Sequence, residues 1–292
     1  MPSGIITKGI GGFYYVESDE GVFECKARGI FRKDGIIPLP GDKVGFTIID
    51  KDKKVGNIDR IMPRFSQLIR PSVANVDQVI IVISVKSPSA DFMLLDKLLI
   101  TAERKELAAV VCINKIDLDV DNEHKNIMDI YASAKYKVIA TSLKKGIGLD
   151  SLREVLQGKI SVLAGQSGVG KSTIINGIMN AGMMKTGELS AKIDRGKHTT
   201  RHAELIKLQE GGYIVDTPGF SNFDELEMQA EELQYCYPEF RDYINLCRFT
   251  HCSHISEPDC GVKEALSKGH INTGRYSRYI QLYNYLKQKK KY

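Results

Sequence analysis

The stretch Gly165-Gln166-Ser167-Gly168-Val169-Gly170-Lys171-Ser172-Thr173 constrains this chain more than any other. It fits the pattern G-x-x-x-x-G-K-[ST]. It also stands where such a pattern carries meaning, between the buried run Ile160-Ser161-Val162-Leu163-Ala164 and a helix-forming segment that starts at Lys171. Glycines in such a loop let backbone N–H groups close around phosphate oxygens, and the helix N-terminus adds the positive end of its dipole. Lys171 is expected to reach the terminal phosphates and Ser172 to hold Mg²⁺. A strand feeding such a loop and helix belongs to an α/β layer with a mostly parallel sheet. The alternation around it agrees. Gln78 to Val85 and Leu107 to Ile113 are nearly continuous apolar runs, as strands buried on both faces require. A helix is predicted from Phe92 to Lys105, and further elements at Val138-Ile139-Ala140 and Leu149 to Leu156.

Three other segments complete a nucleotide site. Asn114-Lys115-Ile116-Asp117 follows the strand ending at Ile113 and resembles the guanine-specificity motif of GTPases. A carboxylate accepts two hydrogen bonds from guanine's ring N–H and amino group, a donor pair that adenine lacks, so Asp117 selects guanine. Asp216-Thr217-Pro218-Gly219 resembles the DxxG motif, with Asp216 on Mg²⁺ through a water and Gly219 offering its N–H to the γ-phosphate. Thr141-Ser142 is the expected loop behind the base, and Thr199 or Thr200 would complete the Mg²⁺ shell. In most GTPases the phosphate loop comes first. Here the base-reading motif and base loop precede it, and the switch threonines and DxxG follow, which is a circular permutation. Such a shift keeps the same sheet when the original termini lie close together. The chain then leaves the nucleotide domain directly from DxxG, so loss of the γ-phosphate is expected to be felt by the C-terminal segment.

The position after DxxG, which in many GTPases is a water-orienting Gln, is Phe220, a side chain unable to hydrogen-bond. His198, beside the threonines and titrating near neutrality, is the candidate catalytic residue.

Residues 1–65 read as a small β domain. Five short strand-like runs are separated by turn residues, which fits an OB-fold barrel. Residues 62–71 read as a linker with a Pro at each end, 71–223 as the GTPase domain, and 224–292 as a small polar helical domain. In that last domain, three of the six cysteines fall within fourteen residues, as Cys247-x₄-Cys252-x-His254-x₅-Cys260. Three thiolates and an imidazole suit one tetrahedral, structural Zn²⁺. His251 is a rival fourth ligand, whereas Cys25 and Cys236 read as small buried apolar residues. A polar domain of this size is expected to have little core and to draw much of its folding energy from zinc. Its end is basic: eight Lys and Arg stand against one Glu from Val262 onward, which suits a phosphate backbone. No run approaches the roughly eighteen apolar residues of a membrane span, and Met1 to Gly12 does not read as a signal peptide. A cytoplasmic protein is therefore expected.

With these pieces together, the chain resembles the ribosome small-subunit-dependent GTPase A (RsgA) family over essentially all its 292 residues. The resemblance rests on Gly165–Ser172, on Asp216-Thr217-Pro218-Gly219-Phe220 and on the stretch from Cys247 to Cys260. It implies a monomeric factor that binds GTP and GDP and acts late in maturation of the 30S ribosomal subunit. It also implies hydrolysis stimulated by the subunit, and contacts to 16S rRNA from the barrel and zinc domains. Family members carry a histidine in the position of His198. Their run of three threonines after it is here Thr199-Thr200-Arg201.

Overall fold

The computed structural model describes residues 1–29, 31, 35–183, 203–216 and 226–289. The chain forms two compact units, each assembled from three separated stretches. One is Met1–Gln78, Arg153–Leu163 and Ile175–Phe220; the other is Val79–Leu152, Ala164–Ile174 and Ser221–Tyr292.

In the first unit, β1 (Ser3–Ile10), β2 (Phe13–Ser18), β3 (Gly21–Ala27), β4 (Lys43–Asp50) and β5 (Val55–Ile61) lie in the order β1-β2-β3-β5-β4. β4 returns to pair with β1, closing a five-stranded barrel. β3 and β5 run parallel and the other barrel pairs run antiparallel, an OB-like arrangement. Alternation supplies the lining: along β5, Gly56 and Ile58 point inward between more exposed neighbours. Ile6, Val16, Phe23, Cys25, Val44, Phe46 and Ile58 fill the interior, where Phe23 and Phe46 pack with centroids 5.3 Å apart. The segment read as a linker carries a two-residue ladder between β6 (Gln67–Leu68) and β7 (Val73–Ala74). Arg64 closes it onto the barrel with two 2.7 Å bonds to the buried Asp42 carboxylate.

The same unit holds three strands from the later sequence. β11 (Ile160–Ala164) and β13 (Tyr213–Asp216) pair in parallel, and β12 (Glu204–Lys207) runs antiparallel to β13. β12 in turn meets the barrel strand β1 at Lys8↔Glu204. The barrel is therefore continuous with the hairpin that ends in Asp216, which sequence patterning did not foresee.

In the second unit, β8 (Gln78–Ser84) is buried at every position, and β9 (Ala108–Asn114) pairs in parallel with β10 (Lys137–Ala140). α1 (Phe92–Arg104) is N-capped by the Asp91 carboxylate, which accepts from the Leu94 N–H. α2 (Glu123–Ser133) lies in a polar stretch where no helix was predicted; its buried face is only Ile127 and Tyr131. Two helices begin in this unit and end in the first: α3 (Leu149–Leu156) and α4 (Lys171–Met183), which opens at the phosphate loop.

The C-terminal segment has short 3₁₀ turns at Ala230–Cys236, Pro238–Phe240 and Ile244–Leu246, followed by α5 (Gly261–Ser267) and α6 (Thr273–Lys289). The expectation that it has little core does not hold. Leu233, Tyr237, Phe240, Val262, Tyr279, Leu282 and Leu286 are buried together, and Phe240 sits 5.1 Å from Tyr237 and 5.0 Å from Tyr279, ring centre to ring centre. Tyrosines supply this core. They carry large apolar bodies that a tally of polar residues overlooks. No described helix is long and apolar enough to cross a membrane.

Candidate nucleotide site and metal centre

The phosphate loop leaves β11 at Gly165, whose φ of +131° few side chains tolerate. A Cβ there would stand 2.1 Å from the Val82 carbonyl oxygen, so the strand can turn into the loop this tightly only with glycine. Gly170 (φ +99°) is equally fixed, because a Cβ would meet the Asn114 amide nitrogen at 2.5 Å. Ser167, Gly168, Ser172 and Thr173 are exposed at the loop mouth, while Val169 is buried beneath it and Gln166 partly so. Lys171 Nζ donates to the carbonyls of Gly165 (2.5 Å) and Gln166 (3.0 Å), which holds the ammonium across the loop. Burial lowers its pKa. An anionic phosphate beside it offsets that cost.

Asn114 ties three segments together. Its amide nitrogen donates 2.9 Å to the Val169 carbonyl in the phosphate loop, and its amide oxygen accepts from Thr141 Oγ1 at 3.1 Å. The side chain is buried, so these bonds are made away from competing water. Lys115, in a left-handed conformation (φ +60°), lays its stem along the same loop. Its Nζ donates to the carbonyls of Gly168 (2.7 Å) and Ser87. Ile116 N–H reaches the Thr141 carbonyl at 3.3 Å. Asp117 Oδ1 accepts from Ser142 Oγ at 2.6 Å. That bond, with help from Lys144 and Lys145, holds the Asp117 carboxyl below the usual carboxylate range. It stays an acceptor at any physiological pH, as reading a pair of N–H donors requires. Predicted residues far apart in the chain thus converge on one loop cluster. Asp216 ends β13. His198, Thr199, Thr200 and Gly219, with Phe220 and Arg201, lie outside the described residues.

The metal-ligand set is drawn together in the C-terminal segment. One donor atom each from Cys247, Cys252, His254 and Cys260 lies within 4.8 Å of the others. Cys247 Sγ stands 3.5 Å from His254 Nδ1 and 3.8 Å from Cys260 Sγ, and His254 Nδ1 stands 3.3 Å from Cys260 Sγ. A tetrahedron with Zn–S and Zn–N arms has edges of about 3.4–3.8 Å, so the residues fit Zn²⁺. His251 is exposed and outside the set. The imidazole tautomer is fixed from behind. Gln234 donates its amide nitrogen to the Glu231 carbonyl (2.9 Å), which aims its oxygen at His254 Nε2 (2.8 Å). Nε2 therefore carries the proton, which leaves the Nδ1 lone pair free to ligate a metal ion. Burial pushes the Cys252 thiol up to about 12, raises Cys260 and lowers His254. A divalent cation displaces such thiol protons and supplies the charge that burial alone disfavours. Cys25 and Cys236 are free and buried, as expected.

Family models match in two places: "RsgA GTPase" over residues 61–226 and "RsgA N-terminal domain" over residues 3–58. The chain belongs to the RsgA GTPase family. It is a GTPase whose nucleotide-binding motifs run in circularly permuted order. A relative from Ruminiclostridium cellulolyticum, named small ribosomal subunit biogenesis GTPase RsgA, is 58% identical across 98% of this chain and 94% of its own. One of the same name from Alkaliphilus metalliredigens is 49% identical with both chains fully covered. Among solved structures, YjeQ from Thermotoga maritima superposes with a TM-score of 0.83 at 39% identity, covering 98% of each chain. YloQ, described as a circularly permuted GTPase, gives 0.81 at 36%, covering 99% of this chain and 96% of its own.

Some contributors to the sites of this RsgA-family GTPase were not visible in the sequence. Ser87 takes part through its carbonyl, which any residue type offers, so no pattern marks it. Gln234 lies thirteen residues before the first cysteine, and only the fold brings it to His254. Glu257 sits inside the cysteine spacing, and nothing in that spacing marks it. Its carboxylate accepts from Ser253 N–H (2.8 Å), Ser253 Oγ (2.6 Å) and Ile255 N–H (3.1 Å), pinning the ligand loop. Burial opposes its charge, yet these hydrogen bonds prevail and hold its pKa at about 2.

Proposed function

We propose that this GTPase acts in late maturation of the 30S ribosomal subunit, hydrolysing GTP to GDP and phosphate on contact with the subunit and binding its 16S rRNA. The observation that carries the guanine-nucleotide part is the Asn114 junction, which brings the base-reading motif, the base loop and the phosphate loop into one cluster. The relatives' shared name, small ribosomal subunit biogenesis GTPase, supports the partner. In this reading Asp117 reads the guanine edge, Thr141 and Ser142 back it, and residues 165–173 cradle the phosphates. Lys171 neutralises the terminal phosphates. Ser172, one of Thr199 and Thr200, and Asp216 through a water would hold Mg²⁺, which would supply positive charge to the phosphates. Gly219 gives its N–H to the γ-phosphate. His198 orients the attacking water, a task Phe220 cannot perform.

The domains divide the work: 1–65 contacts rRNA, 71–223 binds and hydrolyses GTP, and 224–292, braced by zinc, adds a second rRNA contact. The protein works in the cytoplasm as a monomer. The test is steady-state GTP hydrolysis with and without purified 30S subunits. We expect stimulation of about tenfold or more, a threshold well below the roughly 10³–10⁵-fold that an activating partner can supply to a GTPase. Equal rates with and without subunits would overturn the subunit-triggered reading. His198→Ala should then lower stimulated turnover while leaving GDP affinity intact.

A further inference from the structure

One ionic cluster in the second unit takes no part in the chemistry above. Arg275 on α6 is 1% exposed. Its Nε and Nη2 grip the Glu239 carboxylate at 2.5 and 3.2 Å, and its Nη1 reaches Asp96 Oδ1 on α1 at 2.6 Å. Asp96 Oδ2 takes a second arginine, Arg278, at 2.5 Å, and Tyr131 on α2 donates its hydroxyl to Asp96 Oδ1 at 2.9 Å. Three rings wall the Arg275 guanidinium: Tyr237 at 4.9 Å, Tyr131 at 5.2 Å and Tyr136 at 5.7 Å from its carbon. Two cations face two carboxylates, so the cluster is neutral as a whole. Removing one member leaves a charge stranded in a dry site.

The anchors lead to the base-reading loops. α1 starts five residues after Ser87, whose carbonyl holds Lys115. α2 begins just past Asn114–Asp117, where the Asp119 carboxylate accepts from the Glu123 and His124 N–H groups at 3.1 and 2.8 Å. Tyr136 directly precedes β10, which delivers Thr141 and Ser142 to Asn114 and Asp117. Other ion pairs from the C-terminal segment also end on this side: Arg241 with Glu103 of α1 at 2.5 Å, and Asp242 with Lys135 after α2 at 2.6 Å.

We infer that Arg275 is a positioning residue for guanine recognition, fastening the zinc-bearing segment to the helices and strand that aim Asp117, Thr141 and Ser142. The inference rests on the reading of Asp117 as the guanine-selecting group. A partner that pulls on the C-terminal segment then acts on base discrimination through this cluster, whatever reaches that segment from DxxG.

GDP and IDP separate the two ideas, because inosine lacks the exocyclic amino group that Asp117 reads. The full chain is titrated with each nucleotide. A wild-type protein that binds both equally defeats the Asp117 reading itself. Given a wild-type preference for GDP, the variant Arg275→Met with Glu239→Gln keeps Asp96 paired with Arg278 and the cluster neutral. Its fold is checked by circular dichroism and metal content. The GDP-over-IDP preference is expected to fall about three- to tenfold, because IDP, which offers Asp117 only the ring N–H, loses less affinity than GDP. Tyr136→Leu leaves every charge in place and is expected to shift the preference the same way, so it decides the matter if the double variant does not fold. A folded variant with the wild-type preference overturns the inference. A merely structural role would change the folded fraction and leave the ratio alone.

Discussion

The barrel and the C-terminal segment that carries the Cys₃His cluster are each joined to the rest of their own unit, and by opposite means. The barrel meets the β12–β13 hairpin through one residue pair, Lys8↔Glu204, and a few ion pairs at the surface. Glu17 takes Lys207 and, at 3.3 Å, the Tyr213 hydroxyl, and the Lys207 side chain is 60% exposed. The C-terminal segment is joined through Arg275 and Asp96, both almost wholly withdrawn from water. Exposed pairs are cheap to break and are screened by salt; buried ones are held by the cost of stranding a charge. The barrel can therefore be repositioned with little loss, whereas the C-terminal segment moves with α1 and α2 or not at all.

The sharpest way to break this contrast is to unpair the buried cluster. Arg275→Met alone should cost about 3–5 kcal/mol in denaturant unfolding. A loss no larger than that of a surface substitution would erase the distinction between the joints. Gln234→Ala should weaken Zn²⁺ binding about ten- to a hundredfold by freeing the His254 tautomer, measured by competition with a chromophoric chelator. The aromatic core beneath should hold α6 folded while metal is lost. Unfolding of the whole segment on metal loss would mean that zinc, and not Tyr237, Phe240 and Tyr279, maintains it.

Acid provides a third lever. The Glu257 pKa is lowered in the fold, so its contribution is complete above about pH 4.5, the ordinary value, and is lost as pH falls towards about 2. Glu257→Gln should flatten that part of the stability–pH curve and leave neutral pH less affected. An unchanged acid limb would show that the carboxylate is not what pins the ligand loop. The smallest effect belongs to the barrel: Glu17→Gln should cost about 0–1 kcal/mol and become indistinguishable from wild type in high salt.

Much of this was legible in the sequence because the informative residues are constrained by contacts a chain cannot make otherwise. Gly165 and Gly170 tolerate no Cβ, and Asn114, Asp117 and Lys171 each need their own functional group. The cysteine spacing led to the metal set because thiolate ligands have few substitutes. What escaped was written in groups that every residue shares or in distant partners. The Ser87 carbonyl has no signature, and β12 joins the barrel by one backbone pairing and by ion pairs whose partners lie nearly two hundred residues apart in the chain. α2 hides in a polar stretch because only two of its side chains are buried. Arg275 read as one more basic residue in a cationic tail, when it is among the most buried side chains in the described structure.

The Asn114 junction also bears on how the chain is made. Synthesis runs from the N-terminus, so the base-reading residues leave the ribosome well before the phosphate loop whose Val169 carbonyl Asn114 needs. An unpermuted GTPase emerges with its phosphate cradle first. A nascent chain of this kind instead holds a specificity edge with nothing to grip the charged end of the ligand. On the proposed reading, nucleotide capture waits until residues 165–173 are out, when nearly three fifths of the chain has emerged.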